Sequence, residues 1–313
     1  MQLKAINIDG LQTPNNVFLA PLAGYTNAVF RKMCYGLGAG LTFTEMVSAK
    51  GLCYKSNASA ELLFVTEDYG GIKACQLFGG EPEYIKMAAE SEHVAPFDLI
   101  DLNFGCPVPK IFNNGEGSAL LADFDRAGRI IKAARSSGKR VSVKFRIGIT
   151  EGNFVAADFA KMCEDSGADM LTVHGRTRDK MYAGEVNYGQ IEAVKKAVNI
   201  PVIANGGVFC EADADKLVNN TVADGVMLAR GAMYDPSLFC EITHSPVPDK
   251  KQLILKQLED TLTYYGERFC LVFMRKMVAF YTKGGKNSSA LRTKLFACNS
   301  VGELKTMIEG VEW

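Results

Sequence analysis

Along residues 1–244 the hydrophobic positions gather into short β-branched runs that alternate with stretches of helical spacing. The runs lie at 17–20, 41–46, 72–78, 99–103, 141–145, 170–174, 202–205 and 225–228. Each is nearly continuous in apolar residues, as strands covered on both faces are. Between them, apolar residues three and four apart predict helices over 83–92, 125–136, 155–166, 188–198 and 211–219, closed by Gly, Pro or Asn near the next run. Eight strand–helix units in about 240 residues predict an α/β fold, a closed (β/α)8 TIM barrel. A doubly wound open sheet would need a glycine-rich dinucleotide turn after its first strand, and Ala20-Pro21-Leu22-Ala23-Gly24 is not G-x-G-x-x-G. Ahead of the barrel, residues 3–8 and the Asp9-Gly10 turn predict a small hairpin able to plug its floor.

Beyond Pro246 and Pro248 the period becomes purely helical. Leu255, Leu258, Leu262 and Tyr265 make one stripe, Met274, Met277, Val278 and Tyr281 a second, and Leu304, Met307, Ile308 and Val311 a third. The expected organisation is a barrel over residues 1–243 followed by a small C-terminal helical domain over 244–313.

Composition changes this picture little: 48% hydrophobic and 22% charged residues suit a folded chain and exclude a mainly disordered one. Charge changes it more. The 35 Lys and Arg balance 35 Asp and Glu, so no global field singles out nucleic acid or membrane. Residues 245–313, however, hold 11 Lys and Arg against 7 Asp and Glu, leaving 24 against 28 in residues 1–244. A local polyanion site accounts for that excess, and so does a solvated helix face. No apolar run reaches the ~18 residues of a membrane span and the first ten residues form no signal peptide, so a cytoplasmic protein with no membrane partner is expected. Nine scattered cysteines without a C-x-x-C pair are expected to be reduced, mostly core residues, with no metal site.

The active site of a (β/α)8 barrel is assembled at the C-terminal ends of its strands. In chain order those ends carry Pro21, Leu22 and Ala23; Glu45; Gln76; Asn103 and Cys106; Lys144 and Arg146; His174 and Arg176; Asn205, Gly206 and Gly207; Ala229, Arg230 and Gly231. Polar groups of that density exceed what core packing needs. Gly206-Gly207 and Arg230-Gly231 suit a phosphate between the loops after the last two strands, although ordinary turns also use glycine. Lys144, inside an apolar strand, has to meet an anion or an electron-rich ring, or else snorkel from a strand end. Cys106, on a loop between Gly105 and Pro107, is as open to inert burial as to chemistry, and His174 to a core role as to a ligand role.

Taken together, Ala20-Pro21-Leu22-Ala23-Gly24-Tyr25-Thr26-Asn27 with Phe30-Arg31, Gln76-Leu77-Phe78-Gly79, Asp101-Leu102-Asn103-Phe104-Gly105-Cys106-Pro107, Val143-Lys144-Phe145-Arg146, His174-Gly175-Arg176-Thr177 and Asn205-Gly206-Gly207 resemble the tRNA-dihydrouridine synthase family, of the bacterial B-like kind. Tyr264-Tyr265-Gly266-Glu267, Arg275-Lys276, Tyr281-Thr282-Lys283-Gly284 and Leu291-Arg292 are similar to that family's helical RNA-binding domain, so the match spans nearly the whole chain. The resemblance implies an FMN enzyme that reduces selected uridines of tRNA to 5,6-dihydrouridine, with NADPH as the electron donor. It implies that Pro21, Leu22 and Ala23 line the flavin, that Gln76 and Lys144 bond its ring and ribityl side with His174 in contact, and that Asn205, Gly206, Gly207, Ala229 and Arg230 hold its phosphate. Asn103 would bind the uracil, and Cys106 would protonate carbon 5 after hydride reaches carbon 6. Arg176, Lys283 and Arg292 would contact the RNA.

A monomer acting on tRNA is expected. The chain departs from the family pattern at Tyr25 and Asn27, at Ala229, which stands for a common Gly but keeps its amide, and at Asp235-Pro236-Ser237. Two rival readings are an FMN-dependent dihydropyrimidine or dihydroorotate oxidoreductase acting on a free base, which has no use for the helical tail, and a noncatalytic tRNA-binding protein, which has no use for Cys106 or a flavin shell.

Overall fold

The eight apolar runs become eight parallel strands in a computed structural model of the chain, which describes residues 1–284 and 288–311. Positions 285–287 and 312–313 of the expected tail lie outside the described residues. The strands are β1 (Val17–Leu19), β2 (Leu41–Ser48), β3 (Lys73–Phe78), β4 (Leu99–Phe104), β5 (Arg140–Arg146), β6 (Met170–His174), β7 (Val202–Asn205) and β8 (Gly225–Leu228). Each pairs in parallel with the next and β8 pairs with β1, which closes the barrel.

Strand side chains alternate between faces, and the alternation sorts the residues by chemistry. Val141, Val143 and Phe145 of β5 join the apolar layer between strands and helices, as do Ile100 and Leu102 of β4 and Leu171 and Val173 of β6. Their neighbours face inward. Phe18, Leu41, Leu99, Met170, Ile203 and Met227 fill the lower barrel, and the N-terminal hairpin of Asn7–Ile8 with Leu11–Gln12 seats Ile6 and Ile8 against them. The expected plug is therefore present. Each fully buried side chain of this size contributes about 1.5–3 kcal/mol.

Helices expected from periodicity appear at Pro82–Ala89, Phe124–Arg135, Ala156–Asp165, Tyr188–Ala197 and Glu211–Thr221. Ala28–Gly36 is a further helix after β1, started by Asn27, whose Oδ1 accepts from Phe30 N at 2.9 Å. No helix among the described residues is long and apolar enough to cross a membrane.

The tail comprises Lys250–Tyr281, Ser288–Ala297 and Val301–Glu309. Gly266 (φ 75°, ψ 172°) breaks the first into two segments, a conformation open to glycine and costly for other residues. The second expected stripe, Met274, Met277, Val278 and Tyr281, is buried throughout, but the first is displaced: Ile254, Gln257, Leu258 and Thr261 pack inward and Leu262 is 38% exposed. The reason is that Gln257 finds a buried partner, Tyr281, whose hydroxyl donates to Gln257 Oε1 at 2.7 Å. The layer around the barrel continues without interruption into Ile254, Leu258, Met274, Leu304 and Ile308.

Candidate active site

At the C-terminal ends of the strands opens a cleft of about 420 Å³. The alternation that sends Val143 and Phe145 outward turns Lys144 and Arg146 toward it, and Asn103, His174 and Asn205 face it from β4, β6 and β7. Loops supply Pro21, Leu22, Ala23, Cys106, Arg176, Gly206, Gly207, Ala229 and Arg230. Three expected site residues stand elsewhere. Gln76 is buried beneath the wall, Lys283 sits at the rim with Nζ donating to the hydroxyl of the lining residue Tyr234 at 2.8 Å, and Arg292 is exposed on Ser288–Ala297.

The lining carries Lys144, Arg146, Arg176 and Arg230 and no carboxylate. Lys144 Nζ donates to Asn205 Oδ1 at 3.0 Å, and Asn205 Nδ2 donates to the Met227 carbonyl at 2.8 Å, which fixes the amide's direction. Burial, reinforced by Arg146, brings the Lys144 ammonium down to about 8. The imidazole of His174 is held neutral, first by burial and then by Arg146 and Lys144. Its Nε2 lies 3.4 Å from Arg176 Nη1, and since a guanidinium only donates, the ring proton belongs on Nδ1. Arg146 spends its donors on the carbonyls of Gly105, Thr177 and Met181 at 2.8, 3.0 and 2.8 Å, tying two loops together. Arg230 meets the rings of Tyr182 and Phe209, 5.1 and 5.6 Å from their centroids.

Gly206 (φ 131°) is required by the crowding around it: a Cβ there would lie 3.0 Å from Val186 Cγ2 and 3.1 Å from His174 Cδ2. Among the described residues no protein acceptor takes the Gly206 or Gly207 amide. Two free N–H groups beside unneutralised guanidinium groups make a fitting seat for a phosphate.

Cys106 is 9% exposed and its loop is tethered on both sides. The amides of Gly105 and Cys106 donate to Asn103 Oδ1 at 3.1 and 2.9 Å, and the Cys106 carbonyl accepts from Ser118 N and Oγ at 3.2 and 2.8 Å. Burial pushes the thiol above its ordinary range, which favours the protonated form over the thiolate at neutral pH. Below it, Asp101 accepts from Ser142 Oγ and Gln76 Nε2, both at 2.6 Å, and burial raises its carboxyl to about 6.

Sequence reasoning gave no role to Asp101, although an acid inside Leu99-Ile100-Asp101-Leu102 is the same anomaly as Lys144. It also missed the aromatic rim of Tyr25, Tyr182, Phe209, Tyr234 and Phe280. Phe280 comes from the tail, 5.5 Å from the Tyr25 ring and 5.7 Å from Tyr234, with Lys276 4.2 Å over Tyr25 and Lys283 4.1 Å over Tyr234. Residues brought together from loops and a distant helix carry no periodic signal.

The family model described as dihydrouridine synthase (Dus) matches residues 18–311. Over 298 residues the chain is 36% identical to the "Probable tRNA-dihydrouridine synthase" of Rickettsia bellii, covering 92% of this chain and 91% of that protein. Over 290 residues it is 34% identical to "tRNA-dihydrouridine synthase B" of Pseudomonas aeruginosa, covering 89% and 87%. Among solved structures, morphinone reductase superposes with a TM-score of 0.58 at 16% identity, over 80% of this chain and 91% of that one, and so shares the fold.

Proposed function

Because the chain belongs to the dihydrouridine synthase family, we propose that it reduces uridines of tRNA to 5,6-dihydrouridine on a bound FMN, with NADPH as the electron donor. The observation that carries this reading is the cleft itself, where four cations and no carboxylate share one wall with a loop-held, protonated thiol.

Gly206, Gly207, Ala229 and Arg230 would hold the flavin phosphate, Pro21, Leu22 and Ala23 would line its ring, and Lys144, set by Asn205, would bond it together with His174. Bound FMN supplies the hydride for carbon 6 of the uracil. Cys106 delivers the proton to carbon 5, so hydride and proton together saturate one double bond, and the thiolate left behind is reprotonated from solvent. Asn103 holds the Cys106 loop through Oδ1. One hydrogen of its Nδ2 bonds Gln76, and the other meets only the Met46 sulfur at 3.8 Å, a weak partner that a uracil oxygen replaces. Gln76, with both ends of its amide engaged by Asp101 and Asn103, supports that wall from below.

A uridine inside folded RNA reaches this cleft only when turned out of its stack. Arg176, Lys283, Arg292 and the tail's excess of Lys and Arg serve the surrounding phosphates. Phe280 and Lys276 bring the tail to the cleft mouth, which favours an RNA over a free base as substrate. The test is direct. Protein purified and denatured should release FMN, and with NADPH it should form dihydrouridine in tRNA that lacks it; a protein that neither contains nor binds flavin, or one that reduces free uracil and leaves tRNA untouched, would overturn the proposal.

A further inference from the structure

Above the apolar floor, the inner barrel face carries a run of buried polar side chains that leads from β5 to the cleft. The strand register sets Gln76 beside Asp101 and Asp101 beside Ser142. Ser142 Oγ donates to Asp101 Oδ1 and Gln76 Nε2 to Asp101 Oδ2, each at 2.6 Å; Asn103 Nδ2 donates to Gln76 Oε1 at 2.8 Å; and Asn103 Oδ1 accepts from the Gly105 and Cys106 amides. Asp101, Gln76 and Ser142 are all buried.

We propose that Asp101 is a positioning residue that sets the direction of this chain of amides and thereby holds the Cys106 loop in its working place. The proposal rests on the reading of Cys106 as the proton donor. A primary amide presents a donor at one end and an acceptor at the other, so two amides in series can stand in either of two orientations. A carboxylate only accepts. Facing Asp101, Gln76 has to turn Nε2 downward and Oε1 upward; Asn103 then has to turn Nδ2 toward Gln76 and Oδ1 toward the loop. In the opposite orientation Asn103 would aim a donor at two backbone donors, and the Gly105 and Cys106 amides would lose their acceptor. The carboxylate thus acts on the thiol loop through two neutral side chains without touching it.

The alternative role for a buried acid here is charge compensation of Lys144, and the two roles separate by experiment. Asp101→Asn keeps the shape but can accept or donate, which removes the acceptor-only end of the chain and leaves the Gly105 and Cys106 amides alone to hold its direction. In the full-length, flavin-loaded enzyme with tRNA, it should lower kcat about 10- to 100-fold with KM for tRNA within about twofold and flavin content retained, the pattern of a lost transition-state contribution. Adding Gln76→Glu moves the acceptor-only group one step along the chain, where it takes hydrogens from both the amide at 101 and Asn103 Nδ2. Asp101→Asn/Gln76→Glu should recover turnover to within about fivefold of wild type; because it also keeps one negative charge near Lys144, the separation from charge compensation rests on the Cys106→Ala background and on the alkylation rates. In a Cys106→Ala background, Asp101→Asn should cost clearly less than in wild type, since the part that acts through the thiol is already lost and only the uracil contact of Asn103 Nδ2 is left to disturb.

Alkylation of Cys106 by iodoacetamide, followed by peptide mass spectrometry, reads the loop without turnover; Asp101→Asn should speed it at least about fivefold and the double variant should restore the slow rate. If Asp101→Asn cannot be recovered folded, the double variant carries the test, and turnover as low as that of Cys106→Ala refutes the chain. Unchanged turnover and alkylation in Asp101→Asn, or an equal loss in the Cys106→Ala background, refutes it as well. Wild-type turnover by Cys106→Ala alone would instead sink the proton-donor reading, and the alkylation rates would then decide the chain by themselves.

Discussion

Replacing Lys144 by Met should stabilise the flavin-free protein and weaken its hold on flavin. The side chain is half-buried at the cleft, with Asn205 Oδ1 at 3.0 Å its hydrogen-bond partner among the described residues, and its pKa falls from 10.5 to about 8, with desolvation the first cause, Arg146 the second and Asp101 opposing. At 1.36 kcal/mol per unit that depression corresponds to at most about 3.5 kcal/mol. The folded pKa lies below the unfolded one, so the folded state sheds the proton more readily. The charged lysine therefore costs stability across the acid and neutral range, and the cost is relieved as pH rises from about 8 toward 10.5. Methionine fills a similar volume and carries no charge, while Asn205 loses one donor worth about 1 kcal/mol. The balance predicts a gain of roughly 1–3 kcal/mol at pH 7 that shrinks toward zero, or past it, near pH 10.5. Urea unfolding of deflavinated wild type and Lys144→Met at pH 7 and pH 10 measures the gain, and flavin titration measures the loss of affinity, expected at about 10- to 100-fold. A variant less stable than wild type at pH 7, with a difference that pH does not move, would refute the picture of a strained cation; unaltered flavin affinity would remove Lys144 from the site.

Cys106→Ala should keep its flavin and lose about 10²–10⁴ in dihydrouridine formation, read by nucleoside analysis of tRNA, whereas Cys34→Ala, deep in the core, should affect stability and not the chemical step. Gly206→Ala adds a Cβ between Val186 and His174 at a φ of 131°, a strain of about 1–3 kcal/mol, and calorimetric flavin affinity should fall about 10- to 100-fold. Lys283→Glu with Arg292→Glu should weaken tRNA binding and flatten its dependence on log salt by about two counterions, with flavin content held; an unchanged salt slope would clear both residues of RNA contact.

The barrel was legible because its signals are local. β6, β7 and β8 occupy the runs at 170–174, 202–205 and 225–228 without displacement, since each is a buried β-branched stretch between turn residues. Strand ends then pointed to Lys144, His174, Asn205 and the two glycines, all of which meet in one cleft. What escaped was decided by partners remote in sequence. The bonds of Gln76 to Asp101 and Asn103, which set it beneath the cleft wall, join residues on neighbouring strands and leave no local mark on the sequence. The first tail helix turns inward a glutamine and a threonine that no hydrophobic pattern selects, because Tyr281, 24 residues away, donates to Gln257 Oε1. Phe280 reaches the cleft only because the tail lies across the barrel mouth, and its sequence neighbourhood reads as an ordinary amphipathic helix.

The hairpin under Phe18 and Leu99 does more than finish a core. With Ile6 and Ile8 seated there, and Met170, Ile203 and Met227 filling the space above, the barrel is corked at its base, and the cleft at the strands' C-terminal ends is its doorway among the described residues. On the proposed reading, the molecule that brings electrons and the RNA that receives them must use the same threshold between Tyr25, Phe209, Tyr234 and Phe280. On that reading the nicotinamide end of the dinucleotide and the turned-out uracil would compete for the same opening. The cycle is then one of alternating visits, with the flavin carrying the electrons across the interval, and a surplus of either visitor keeps the other waiting outside.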